Sequence, residues 1–212
     1  MSAQETELVP RRKPPPGKLS FEEFHDWLDE TTWAEWVDGE VWVASPVAYQ
    51  HADLTGFLVT VLRLWTEARQ MGVVIVAPFL MRLHVPRDQG REPDILFIAT
   101  AHLDRLRPTY LDGPADLVVE ITSPESLERD RGQKFVEYEA AGIPEYWFID
   151  RDRRRAEFYQ LGPDGRYEVA FAGASGAYRS PVLGGLELPL AWLWSDPLPL
   201  AMDALRTLGL VS

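Results

Sequence analysis

Three side chains in the middle of the chain are of the types that phosphodiester chemistry needs. Asp94 opens the apolar run PDILFI, Glu120 sits inside LVVEITSP, and Lys134 follows in RGQKFVEYEAAG. Glu120 stands out because Val118, Val119 and Ile121 surround it. The period of two in a strand would expose such an acid on an edge, but Val118 would share its face. A carboxylate in apolar surroundings meets a metal, a cation or water. Two readings of Glu120 therefore stand side by side: a metal-binding or catalytic acid, and a structural acid paired with a cation. Lys134 has Asp130 four residues before it and Tyr138 four residues after it, so the three line one stripe of a helix. Alone it would be a surface lysine. Two carboxylates on neighbouring strands with a lysine facing them form the smallest set that hydrolyses a phosphodiester. The acids would hold Mg²⁺, with Mn²⁺ as its substitute, the ion would polarise the phosphate and acidify water, and the ammonium would stabilise developing charge.

Periodicity and punctuation supply the elements that must position these groups. Residues 1–18 read as a flexible arm ending in Pro14-Pro15-Pro16-Gly17, and residues 19–212 as one domain. Ser20 and Glu23 have capping-box spacing at the start of a short helix with Phe24, Trp27 and Leu28 inward. AEWVDGEVWVAS alternates around Asp38-Gly39 and predicts a β-hairpin. From Gln50 to Arg69, apolar residues at three- and four-residue steps predict a core-facing helix. VVIVAPFLMRLHV, PDILFIA and ADLVVEITS read as three strands, ESLERDRGQKFVEYEAAG as a helix stopping at Gly142, and EYWFID and AEFYQLG as further strands. The order is helix, three strands, helix, strand, with the hairpin before it and a β-rich extension from Arg166 to Leu190 after it.

Composition narrows the function classes. The chain has 21 Lys and Arg against 33 Asp and Glu, a formal net charge of −12, which argues against a broad sequence-independent grip on nucleic-acid phosphates. A polyanion would need metal ions or a local basic patch, for which Arg129, Arg131 and the RDRRR tract from Arg151 to Arg155 are the candidates. The same tract reads first as a solvated turn between two strands. The absence of cysteine excludes disulfides, thiolate metal sites and a cysteine nucleophile, and makes the cytoplasm the expected compartment. No apolar run reaches the roughly 20 residues of a membrane-spanning helix.

Taken in order, WVDGE, a helix beginning at His51, EPDILFI, ADLVVEITSPES, the spaced Asp130, Lys134 and Tyr138, and GIPEYWFID resemble the Uma family within the PD-(D/E)XK nuclease superfamily. The resemblance runs from about Leu19 to Leu193. It implies an α/β (α+β) restriction-endonuclease-like fold, an α-β-β-β-α-β core around a mixed central sheet. It implies Asp94 and Glu120 as catalytic metal ligands, with the Ile121 carbonyl completing the shell. The usual E-x-K lysine is absent, since Thr122 stands there, and Lys134 matches the family's lysine on the following helix. Glu40, His51 and Tyr138 match further recurrent positions; Glu40 would be a metal ligand or a structural ion-pair partner, and His51 an orienting or capping residue. The partner expected is nucleic acid, DNA ahead of RNA, and the assembly a homodimer. A nuclease-like fold serving only for binding or protein interaction is the alternative, because a fold does not fix a function.

Overall fold

The structure, a computed structural model, describes residues 13–29, 31–43, 47–122 and 131–212, and residues 129–130 by backbone alone. The reading of residues 1–12 as an arm lies outside them. Ser20 caps α1 (Phe21–Trp27) as its spacing predicts: its hydroxyl accepts from the Glu23 amide and the Glu23 carboxylate accepts from the Ser20 amide at 2.8 Å. Asp38 and Gly39 both take positive φ, which joins β1 (Ala34–Val37) to β2 (Glu40–Val43) in a tight hairpin. Helix α2 (Tyr49–Glu67) buries the predicted stripe of Leu54, Phe57, Leu58, Val61, Leu62 and Trp65.

The run VVIVAPFLMRLHV is not one strand. Pro78 offers no amide to a ladder, and the run divides into β3 (Gly72–Val76) and β4 (Leu80–Leu83), which enter different sheets. The chain continues through β5 (Gln89–Arg91), β6 (Ile95–Ala99), a 3-10 turn (Thr100–Arg105), β7 (Tyr110–Asp112) and β8 (Leu117–Thr122). A π-helical turn (Arg129–Lys134) leads into α3 (Phe135–Ala140), followed by β9 (Glu145–Asp150), β10 (Arg155–Leu161) and β11 (Tyr167–Gly173). The hairpin β12 (Ala177–Ser180) and β13 (Leu186–Pro189) and two short helices, α4 (Ala191–Trp194) and α5 (Ala201–Thr207), complete the chain.

A six-stranded sheet runs β11-β10-β9-β8-β6-β3, mixed because only β8 and β9 are parallel. A five-stranded sheet runs β2-β1-β5-β4-β7. The sequence α2, β3, β6, β8, α3, β9 is the α-β-β-β-α-β core, and the predicted hairpin is the edge of the second sheet. Strand alternation sorts the packing. Leu117, Val119 and Ile121 of β8 face α2 and the C-terminal leucines Leu186, Leu188 and Leu190. Val118 faces the other way, with Leu96, Ile98, Met81, Leu83 and Tyr138, where α3 and the second sheet cover the first. Helix α1 closes the outer face of the second sheet through Phe21, Phe24, Ala34 and Trp36.

Candidate active site

Glu120 has the parity of Val118, so its carboxylate enters the layer between the sheets. It is 3% exposed, and two donors meet one of its oxygens: Lys134 Nζ donates to Oε1 at 2.9 Å and the Tyr138 hydroxyl at 2.7 Å. The four-residue spacing that puts Lys134 and Tyr138 on one stripe thus delivers both to the same acid. Lys134 is as buried as Glu120 and is no surface lysine. Burial, and then the charges of Glu120 and Glu35, push the Tyr138 hydroxyl well above its ordinary range, so it stays a donor.

Asp94 lies just before β6, beyond the last ladder pair of Ile95 with Val119, and one more step of that register would set Asp94 opposite Glu120. Its side chain does what a strand residue would have done there: the Ile121 amide donates to Asp94 Oδ2 at 2.6 Å. His51 Nε2, from the first turn of α2, lies 3.2 Å from the same oxygen. Asp94 Oδ1 takes no hydrogen bond among the described residues. In a strand, the amide and carbonyl of one residue point to the same side, so the Ile121 carbonyl also faces the place that β6 has vacated. Asp94, Glu120, Ile121, Lys134, Tyr138 and His51 therefore converge on one end of β8.

The second sheet adds residues that motif reading passes over. Trp36 pairs with Gly90, which sets Glu35 beside Arg91. Glu35 receives Lys134 Nζ at 3.0 Å on Oε1 and Arg91 Nη1 at 3.0 Å on Oε2. The Arg91 guanidinium, fully buried, also grips Glu137 of α3 with two hydrogen bonds of 2.7 Å. The result is a chain of alternating charge, Glu120–Lys134–Glu35–Arg91–Glu137, that ties both sheets to α3. Glu92 lies beside it; burial and then the charge of Glu35 push its carboxyl up to about 8. Sequence alternation places Glu35 on what reads as the solvent face of a hairpin, and only the covering layer of α3 and β8 makes that face interior. The one available signal was the pair Arg91-Glu92 set directly against PD.

The other candidates fall elsewhere. Glu40 is exposed at the start of β2, paired by register with Val37 across the turn; the hairpin acid that reaches the site is Glu35. Arg131 donates to Glu157 Oε1 at 2.9 Å, an acid that also receives Arg155. The side chains of Arg129 and Asp130 lie outside the described residues. The RDRRR tract is the turn between β9 and β10, where Arg151 donates to the Gln50 and Ser195 carbonyls and Arg153 to Asp150. No helix among the described residues is long and apolar enough to cross a membrane.

Among the described residues no three His, Cys, Asp or Glu side chains form a ready-made metal cage. The donor set at the end of β8 is instead two carboxylates and a carbonyl, all hard oxygens, with Asp94 Oδ1 open. That fits Mg²⁺, which takes one or two carboxylates and keeps water or substrate oxygens for the rest of its shell.

A family model described as "Putative restriction endonuclease", Uma2, matches residues 21–191. The crystal structure of a protein described as "a putative nuclease belonging to DUF820" from Anabaena variabilis ATCC 29413 has the same fold: the TM-score is 0.69 at 16% identity, over 83% of this chain and 97% of that one. No curated protein matches the chain. With the family model spanning both sheets, α2, α3 and every residue at the end of β8, the chain belongs to the Uma2 restriction-endonuclease family.

Proposed function

We infer that the chain is a Mg²⁺-dependent nuclease that hydrolyses phosphodiester bonds of DNA at the end of β8. The observation that carries this reading is the junction of two acids at one peptide: Asp94 accepts the amide of Ile121 at 2.6 Å, and the preceding residue, Glu120, is held by Lys134 at 2.9 Å. Asp94, Glu120 and the Ile121 carbonyl would hold the ion. When bound, Mg²⁺ supplies Lewis acidity toward a phosphate oxygen and a more acidic water.

The protein's own groups prepare that site. Lys134 is held between Glu120 and Glu35, so its ammonium is fixed before substrate arrives and costs no reorganisation as negative charge develops on the phosphate. Tyr138 anchors Glu120 from the apolar side, which leaves the carboxylate one orientation. His51 steadies Asp94 Oδ2 and leaves Oδ1 for a ligand. Migration of the lysine from a strand to the helix turn keeps its charge within 3 Å of the second acid, so the altered motif retains the electrostatic arrangement the reaction requires.

The test is calorimetric titration of Mg²⁺ and Mn²⁺ into wild type and Glu120→Gln, with the same samples then incubated with plasmid and single-stranded DNA. Binding weakened in the variant, together with cleavage by wild type alone, is the expected result. Absence of ion binding in both proteins, even with DNA present, would overturn the reading and leave Glu120 a structural acid.

A further inference from the structure

Of the chain's 8 Trp, 7 Tyr and 9 Phe, three side chains are exposed among the described residues: Trp33 at 42%, Trp42 at 54% and Tyr49 at 79%. All three lie in the segment that borders the candidate site. Trp42 pairs directly with Glu35 across β1 and β2, so it stands on the same sheet face, one strand outward from the acid that holds Lys134. Trp33, two residues before Glu35 and just before β1, has the same parity, at the end of the strand whose Glu35 carboxylate accepts the Glu92 amide. Tyr49 opens α2 two residues before His51, the contact of Asp94. The opposite faces of β1 and β2, with Ala34, Trp36, Val41 and Val43, are packed under α1, a cluster that does not include Trp33 or Trp42.

We propose that Trp33, Trp42 and Tyr49 form a stacking platform for unpaired nucleobases beside the scissile phosphate, and that the preferred substrate is single-stranded nucleic acid. This rests on the nuclease reading for the identity of the neighbouring site. Paired bases keep their faces inside the helix, whereas an unpaired strand offers every base to an aromatic ring regardless of sequence. Charge points the same way. A chain of net charge −12 has little long-range attraction for phosphates, and exposed Glu40 shares the face of Trp42, so this surface favours rings over phosphates. Affinity here has to come from stacking, which salt does not screen.

The experiment is fluorescence anisotropy of labelled oligo(dT) and of a duplex of the same length, in EDTA, with wild type, Trp42→Ala, Trp42→Phe, Trp33→Ala and Tyr49→Ala. Oligo(dT) should bind more tightly than duplex, with a shallow dependence on salt. Trp42→Ala should weaken it by about tenfold or more, and Trp42→Phe should keep most of the affinity. Unchanged affinity in all three alanine variants, or a preference for duplex, would overturn the proposal. Sedimentation of the same proteins covers the other occupant: a dimer broken by Trp42→Ala with oligo(dT) affinity intact would assign the patch to a second copy and also overturn it. The nuclease reading fails separately. Wild type that binds oligo(dT) through Trp42 but cleaves nothing with Mg²⁺ leaves the platform standing alone, whereas cleavage by wild type with no effect of the aromatic variants removes only the platform.

Discussion

Two of the glutamates buried by the six-stranded sheet, Glu120 and Glu145, keep different company. Glu120, near the end of β8, meets an ammonium and a phenol and belongs to a run of five alternating charges. Glu145, at the start of β9 and in register with Leu117 at the other end of β8, meets neutral donors, among them the Trp147 indole at 2.5 Å, the Ser180 hydroxyl at 2.9 Å and the Val182 amide at 3.3 Å. Burial raises the Glu145 carboxyl above its ordinary range, against the lowering by these hydrogen bonds. Glu145 joins β9 to the β12-β13 hairpin. A buried acid is thus a weak pointer to chemistry by itself; Glu120, with a cation beside it and a second carboxylate one peptide away, is the better candidate of the two.

Four substitutions put that contrast at risk. Arg91→Met removes the cation between Glu35 and Glu137, leaving buried Glu137 without the guanidinium that grips it and Glu35 with Lys134 as its cation, so urea unfolding should report a loss of about 3–5 kcal/mol. A loss below about 1 kcal/mol would mean that the charge chain is not structural. Glu120→Gln keeps an acceptor for Lys134 and Tyr138 but loses the ligand charge. DNA cleavage should fall by about 10²–10³-fold, while Glu145→Gln should cleave like wild type; equal losses in the two variants would dissolve the distinction. Ser180→Ala deprives Glu145 of one donor and the Leu183 amide of its acceptor, and should lower stability by about 1–2 kcal/mol with no change in cleavage.

The smallest effect is one of pH. Glu145 has a folded pKa above its unfolded value of 4.5, so the folded chain holds a proton that the unfolded chain releases. Its contribution to stability is full below 4.5 and declines as pH rises through the raised value. Glu145→Gln cannot titrate, so the fall in melting temperature on going upward from pH 4.5 should be shallower in the variant than in wild type. A parallel pair of curves would show that the acid titrates normally in the fold.

Much of this contrast was legible in the sequence, for reasons that are local. Helix α2 announced itself through its stripe, the hairpin through Asp38-Gly39, and Glu120 through the apolar residues around it. Lys134 and Tyr138 were legible together because helical spacing fixes which side chains share a face. Glu35 and Arg91 were not, because their burial is created by a second layer that arrives from distant parts of the chain. Glu40 was the tempting acid of the hairpin, yet parity alone cannot say which of two acids on one face lies inward; the sheet edge decides it, and Glu40 lies at the edge. The division of one apolar run into β3 and β4 was written in Pro78, but the destination of β4 depends on pairing with β5 and β7, which are three residues long each and carry almost no pattern.

The hydrogen bond from the Ile121 amide to Asp94 makes one backbone proton a witness to the site. A cation arriving at Asp94 draws density from the carboxylate that this proton touches, so the Ile121 amide resonance should shift on titration before any substrate is present. Its exchange with solvent should slow in the same titration, since the side chain that closes the end of the sheet would then be pinned from both sides. A single ¹⁵N-labelled isoleucine can therefore report occupancy, geometry and fraying at once, independently of turnover.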